Sequence, residues 1–81
     1  MAAALELDQV SVYGNLFMVA GRTEPGAEIR VNGEAVEVAQ NGTFTKTLVV
    51  DREGWSVLDF EAADRSGNVA RMRQRVFVET L

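Results

Sequence analysis

Apolar and polar residues alternate with a period of two along most of this chain, and Gly, Pro, Asn or Asp interrupt the alternation at regular intervals. Successive side chains of an extended strand point to opposite faces, so this pattern predicts half-buried β-strands. It predicts seven of them, at roughly 5–12, 16–23, 28–31, 35–38, 43–50, 55–63 and 69–79. No window carries a helical period beside helix caps, and β-branched residues are plentiful. The expected helix content is near zero, and the expected class is an all-β sandwich or barrel.

The stretch from Gly21 to Gly33 holds two reversals of different design. Pro25-Gly26 suits a type II turn, because Pro presets φ and Gly accepts φ > 0. Asn32-Gly33 suits a two-residue type I′ hairpin, in which both central residues need φ > 0. That hairpin pairs Val31 with Glu34, Arg30 with Ala35 and Ile29 with Val36, turning Ile29, Val31, Val36 and Val38 inward. Asn41-Gly42 fits poorly as a second such hairpin, since two-residue closure would put Val36 and Val38 on the face opposite to Phe44 and Leu48. A one-residue slip flips a whole strand, so this turn is expected to cross between sheets. Lys46 shares parity with Phe44 and Leu48 and is expected near a rim.

Leu5 and Leu7 are odd-numbered whereas Val10 and Val12 are even, which predicts a bulge near Asp8-Gln9. Phe17, Val19, Gly21 and Thr23 share one face of the second strand, where Gly21 permits close approach of a neighbour. Around Asp64-Arg65-Ser66-Gly67-Asn68, the last two strands pair Glu61 with Arg71, Asp59 with Arg73 and Val57 with Arg75. Ala62, Phe60 and Leu58 then meet Ala70, Met72 and Gln74 on the other face.

Composition removes several classes of chemistry. Twelve acidic and eight basic residues give a net charge of −4, which argues against a broad nucleic-acid-binding field. With neither Cys nor His, the chain lacks thiol nucleophiles, thiolate metal sites and the commonest general base. No apolar run reaches the roughly 18 residues of a membrane helix, so no membrane insertion is expected. Met1-Ala2-Ala3-Ala4 lacks a signal-peptide pattern, so any export signal would lie in a longer parent chain.

The run Val19, Gly21, Thr23, Pro25-Gly26-Ala27, Ile29, Val31-Asn32-Gly33, then Asn41-Gly42-Thr43-Phe44, then Ala63-Asp64 with Gly67-Asn68, resembles the bacterial immunoglobulin-like domains, especially the glucodextranase B-like group. The likeness spans about residues 10–78. Trp55 stands where the group commonly has Asn, and Lys46 where an apolar residue is frequent. The resemblance implies a seven-stranded antiparallel immunoglobulin-like β-sandwich covering residues 1–81, excised from a larger exported or cell-surface bacterial protein. It implies a spacer or interaction module with no catalytic residue and no cofactor, and an extracellular, cell-surface or periplasmic location. Adjacent domains or another protein are its expected partners.

The remaining chemistry is sparse. Ser11, Ser56 and Ser66 have no activating histidine. Asp59 and Glu61 read as half of a salt ladder rather than a catalytic pair. Asp64 reads either as an Asx turn or as a cation ligand. Arg71, Arg73 and Arg75 could meet phosphate or acidic polysaccharide, but the facing acids neutralise most of that stripe. The candidate partner contact is Trp55, with Tyr13 or Met18. It could stack on a sugar, making a carbohydrate-binding module, or anchor a neighbouring domain; alternatively Trp55 covers the open end of the sandwich. Pro25, Gly26, Asn32, Gly33, Asn41, Gly42, Asp64, Gly67 and Asn68 are assigned to structural turns.

Overall fold

The computed structural model describes residues 4–79. The ends of the expected 1–81 domain, Met1–Ala3 included, lie outside those residues. Seven strands run in order: β1 (Leu5–Tyr13), β2 (Leu16–Thr23), β3 (Glu28–Val31), β4 (Glu34–Val36), β5 (Thr43–Val49), β6 (Gly54–Ala63) and β7 (Val69–Val78). They form two antiparallel sheets, ordered β1-β2-β5 and β4-β3-β6-β7. No helix occurs among the described residues. The inner faces meet over Phe17, Val19, Ile29, Val31, Phe44, Leu58, Phe60 and Val78, giving the immunoglobulin-like sandwich its dry core.

Local turn chemistry explains this topology. Asn32 and Gly33 both take positive φ, 50° and 81°, and Ile29↔Val36, Arg30↔Ala35 and Val31↔Glu34 pair as the turn requires. A two-residue turn holds its flanking Cα atoms within about 7 Å, short of the roughly 10 Å between sheets. The fourth strand therefore stays beside the third, unlike the constant-type immunoglobulin arrangement that moves it to the first sheet. The Asn32 side-chain oxygen also accepts a hydrogen bond from the Asp59 backbone amide at 2.9 Å, while the Asn32 backbone amide donates to the Asp59 carbonyl at 2.8 Å. The hairpin tip is thus tied to β6.

The crossover follows directly after. β4 stops at Val36, two residues short of its predicted end, because Val38 already bridges to Phe44 of the other sheet. The Gly42 carbonyl accepts from the Thr23 amide at 2.8 Å, and the Asn41 side chain accepts from the Thr43 amide at 3.1 Å. A side chain on Gly42 would run into the Thr23 carbonyl. On the middle strand of the small sheet, Gly21 lies under the ring of Phe44, where a Cβ would meet Cζ at 2.6 Å. The glycine makes room for the ring, and the ring covers the glycine.

The bulge falls between Leu7 and Gln9, leaving Asp8 as the extra residue. It restores the inward parity of Val10, which pairs with Val19. Val12 nonetheless remains 49% exposed near the end of edge strand β1. Lys46 points inward by parity but sits half-buried on edge strand β5, its Nζ 3.7 Å from Glu34 Oε2 of edge strand β4. An inward-pointing charge at an edge discourages pairing with other chains.

The body measures 42 × 19 × 18 Å. β1 begins opposite Thr23, and β7 finishes opposite Gly54. The loop from Val49 to Gly54 places the end of β5 beside the start of β6, and the turn after Thr23 places β3's start at the other extreme. The two terminal strands therefore start at one extreme, the Thr23 end, and finish at the other, the Trp55 end.

Candidate interaction surfaces

Trp55 follows Gly54 at the first turn-to-strand step of β6 and pairs with Phe77 of β7. By parity both point away from the core, and their rings meet edge to face with centroids 5.2 Å apart. The Arg75 guanidinium lies 4.8 Å above the indole centroid. Trp55 is 63% exposed and Phe77 46%, and Val57 in the next row is exposed too. The indole is an outward platform, not a lid on the core. A cation over an indole and an edge-on ring are each favourable by about 0.5–1 kcal/mol at such sites, enough to hold the ring's orientation.

Along the same outer face, away from Trp55, the ladder runs Val57↔Arg75, Asp59↔Arg73 and Glu61↔Arg71. Arg73 Nε lies 3.0 Å from Asp59 Oδ1 and Arg71 Nε 3.4 Å from Glu61 Oε2. All four side chains are well exposed, so each pair contributes only about 0.2–1 kcal/mol. The acids are spoken for by the guanidinia opposite them.

Tyr13 and Met18 do not join Trp55. Both lie on the outer face of the small sheet: Tyr13 pairs with Leu16, and Met18 stands between Ser11 and Thr47. They are 62% and 48% exposed, but their face points away from that of Trp55, with the core between. Neither Tyr13 nor Met18 can share a contact with Trp55, because a strand's parity fixes inside or outside, while sheet membership decides which outside. Phe77 and Arg75 are the true neighbours of Trp55. Continuing the Glu61↔Arg71 register to the strand end would have found both.

The turns show their chemistry. The Ala27 amide donates to the Glu24 carbonyl at 3.0 Å across Pro25-Gly26, and Gly26, Gly42 and Gly67 all take positive φ. Asp64 Oδ1 accepts from the Ser66 and Asn68 amides, each at 2.9 Å, and Oδ2 accepts from Asn68 Nδ2 at 2.9 Å. The Asn68 side-chain bond first, then these amides, hold the Asp64 carboxyl below the usual carboxylate range. Both oxygens serve the turn, and among the described residues no three His, Cys, Asp or Glu side chains cluster as metal ligands would.

A further ion cluster escaped the sequence reading. Arg22 Nη2 lies 3.1 Å from both Glu6 Oε1 and Asp8 Oδ1, so the bulge residue Asp8 is aimed at Arg22. The hydrogen bond and charge of Asp8, with the charge of Glu6, raise the Arg22 pKa above its ordinary value.

Residues 17–80 match the family described as "Glucodextranase, domain B". The chain belongs to that family. The match covers β2 through β7, the strands that carry the turn motifs, and leaves β1 outside. No curated protein and no solved structure matches the chain. The family is one domain of a larger protein by its own description, and an immunoglobulin-like domain of this kind is a non-catalytic module.

Proposed function

We propose that this domain is a spacer and interaction module of an exported or cell-surface bacterial protein, holding neighbouring domains at a fixed separation. The supporting observation is the placement of the terminal strands: β1 starts at the Thr23 end and β7 finishes at the Trp55 end. A polypeptide passing through is advanced by about the length of one strand, roughly 30 Å for nine or ten residues. The sandwich between is clamped by two-residue and Asx turns, so it transmits orientation as well as distance. At the Trp55 end, the Trp55–Phe77–Arg75 cluster has the composition of an interface anchor, in which Trp and Arg dominate binding energy. An adjacent domain of the parent chain is its partner in this reading.

The test uses the parent polypeptide. Small-angle scattering should give a narrow distribution of distances between the flanking domains, and Trp55→Ala should broaden it while the module's own melting temperature changes little. A broad distribution in the parent, unaltered by Trp55→Ala, would overturn the reading.

A further inference from the structure

We infer that the outer face of the small sheet is a binding shelf for an uncharged, hydroxyl-rich chain, a neutral polysaccharide. This site is separate from the Trp55 cluster and does not rest on the spacer reading.

The shelf is a trough of about 360 Å³ running along β2. Its floor is Ala20, a short side chain on the middle strand. Gln9 and Ser11 of β1 form one wall, Thr45 and Thr47 of β5 the other, and Met18 closes one end. A small residue flanked by taller ones on both neighbouring strands is what makes a flat sheet concave.

Its chemistry selects the ligand. Three successive cross-strand rows, Gln9-Ala20-Thr45, Ser11-Met18-Thr47 and Tyr13-Leu16-Val49, carry no charged side chain. Charged residues make up 25% of the chain, so nine positions would ordinarily hold about two. Lys46, between Thr45 and Thr47, also borders the trough, but its ammonium turns to the other side of the strand, 3.7 Å from Glu34 Oε2. At the far end of the trough, Arg22 is held between the carboxylates of Glu6 and Asp8, so its cation is paired and that end carries one excess negative charge. An anionic ligand would therefore meet no unpaired cation, and a cationic one no carboxylate along the three uncharged rows. A purely apolar one would strand the wall groups.

The walls instead offer hydroxyls and an amide, each able both to donate and to accept, as sugar hydroxyls do. Gln9 Nε2 already donates to Ser11 Oγ at 3.0 Å, which orients the amide along the wall. The Met18 thioether, the threonine methyls and, one row on, the exposed Tyr13 ring supply surface for the C–H faces of a pyranose. Such an open shelf predicts weak binding, with a dissociation constant on the order of 1 mM per short oligosaccharide.

The test is a titration of the ¹⁵N-labelled chain with maltohexaose and cellohexaose, with an oligogalacturonate as the charged control. Amide shifts should centre on Gln9, Ser11, Met18, Ala20, Thr45 and Thr47 for at least one neutral glycan and be weaker for the galacturonate. Ala20→Arg, which fills the trough, should abolish them. Thr47→Ala, a surface change that leaves the fold intact, should weaken binding about fivefold, one hydrogen bond's worth. Trp55→Ala should leave the titration unaltered. Absence of shifts with both neutral glycans at several millimolar, shifts centred on Trp55 and Phe77, or equal binding by Thr47→Ala and a folded Ala20→Arg would each overturn the proposal.

Discussion

The two outer faces of this sandwich use opposite solutions to the same problem. The four-stranded sheet presents Arg30, Arg71, Arg73 and Arg75 among Glu28, Asp59 and Glu61, with acids facing arginines across β6 and β7. The three-stranded sheet presents hydroxyls, an amide, Ala20 and Met18, and keeps its charges to the Arg22 cluster at one end. The first face sets acids on β6 against arginines on β7, so its surface charges attract across the ladder in the observed register. The second takes its register from its inside, through Gly21 under Phe44 and the bulge at Asp8. A face that needs no charges for register is free to carry a shelf.

That contrast can be broken in order of severity. Gly21→Val drives a branched side chain into the Phe44 ring and the Glu6 carbonyl; it should cost about 2–3 kcal/mol by urea denaturation, the largest single effect on the small sheet. Asn32→Ala puts a non-glycine residue without a helpful side chain at φ 50° and frees the Asp59 amide. It should cost about 1–2 kcal/mol, with Asn32→Gly recovering the backbone part but not the lost hydrogen bond.

Acid should reveal the turn that aligns β6 with β7. Asp64 has a lowered folded pKa, so its contribution is present above its ordinary 3.8 and is lost as pH falls through the folded value. Melting temperatures measured from about pH 5 down to about pH 2 should fall less steeply for Asp64→Asn than for the parent chain. The smallest effect belongs to the ladder. Glu61→Lys sets like charges against Arg71 and beside Arg30, costing about 0.5–1 kcal/mol at low salt and less at high salt. Adding Arg71→Glu should restore most of it. If that double variant is no better than the single one, charge does not set the register of this face.

Much of this architecture was legible in the sequence because local rules and long-range pattern agree. Asn32-Gly33 admits one pairing, the Asp64–Asn68 turn together with the facing acids and arginines points to the register of β6 and β7, and the parity slip at Asp8 admits one bulge. The poor fit at Asn41-Gly42 correctly marked the crossover. What stayed hidden depends on which strands become neighbours across sheets. Lys46 and Glu34 meet only because β5 and β4 are edges on the same side of the sandwich. Tyr13 and Met18 lie away from Trp55 for the same kind of reason. The Ala20 trough exists only once β1 and β5 flank β2, which no single strand announces.

The terminal strands carry one more consequence. β1 and β7 run in the same direction, each hydrogen-bonded along its length to an antiparallel neighbour, and Thr23 Oγ1 donates to the Ala4 carbonyl at 2.6 Å beside the first strand. Tension applied through Ala4 and Val78 would pull β1 and β7 past their partners lengthwise, so the rungs of each ladder share the force and must fail together. A fold that peeled from one corner would yield rung by rung. This geometry makes the domain stiff under stretch, and it does so without a single covalent crosslink.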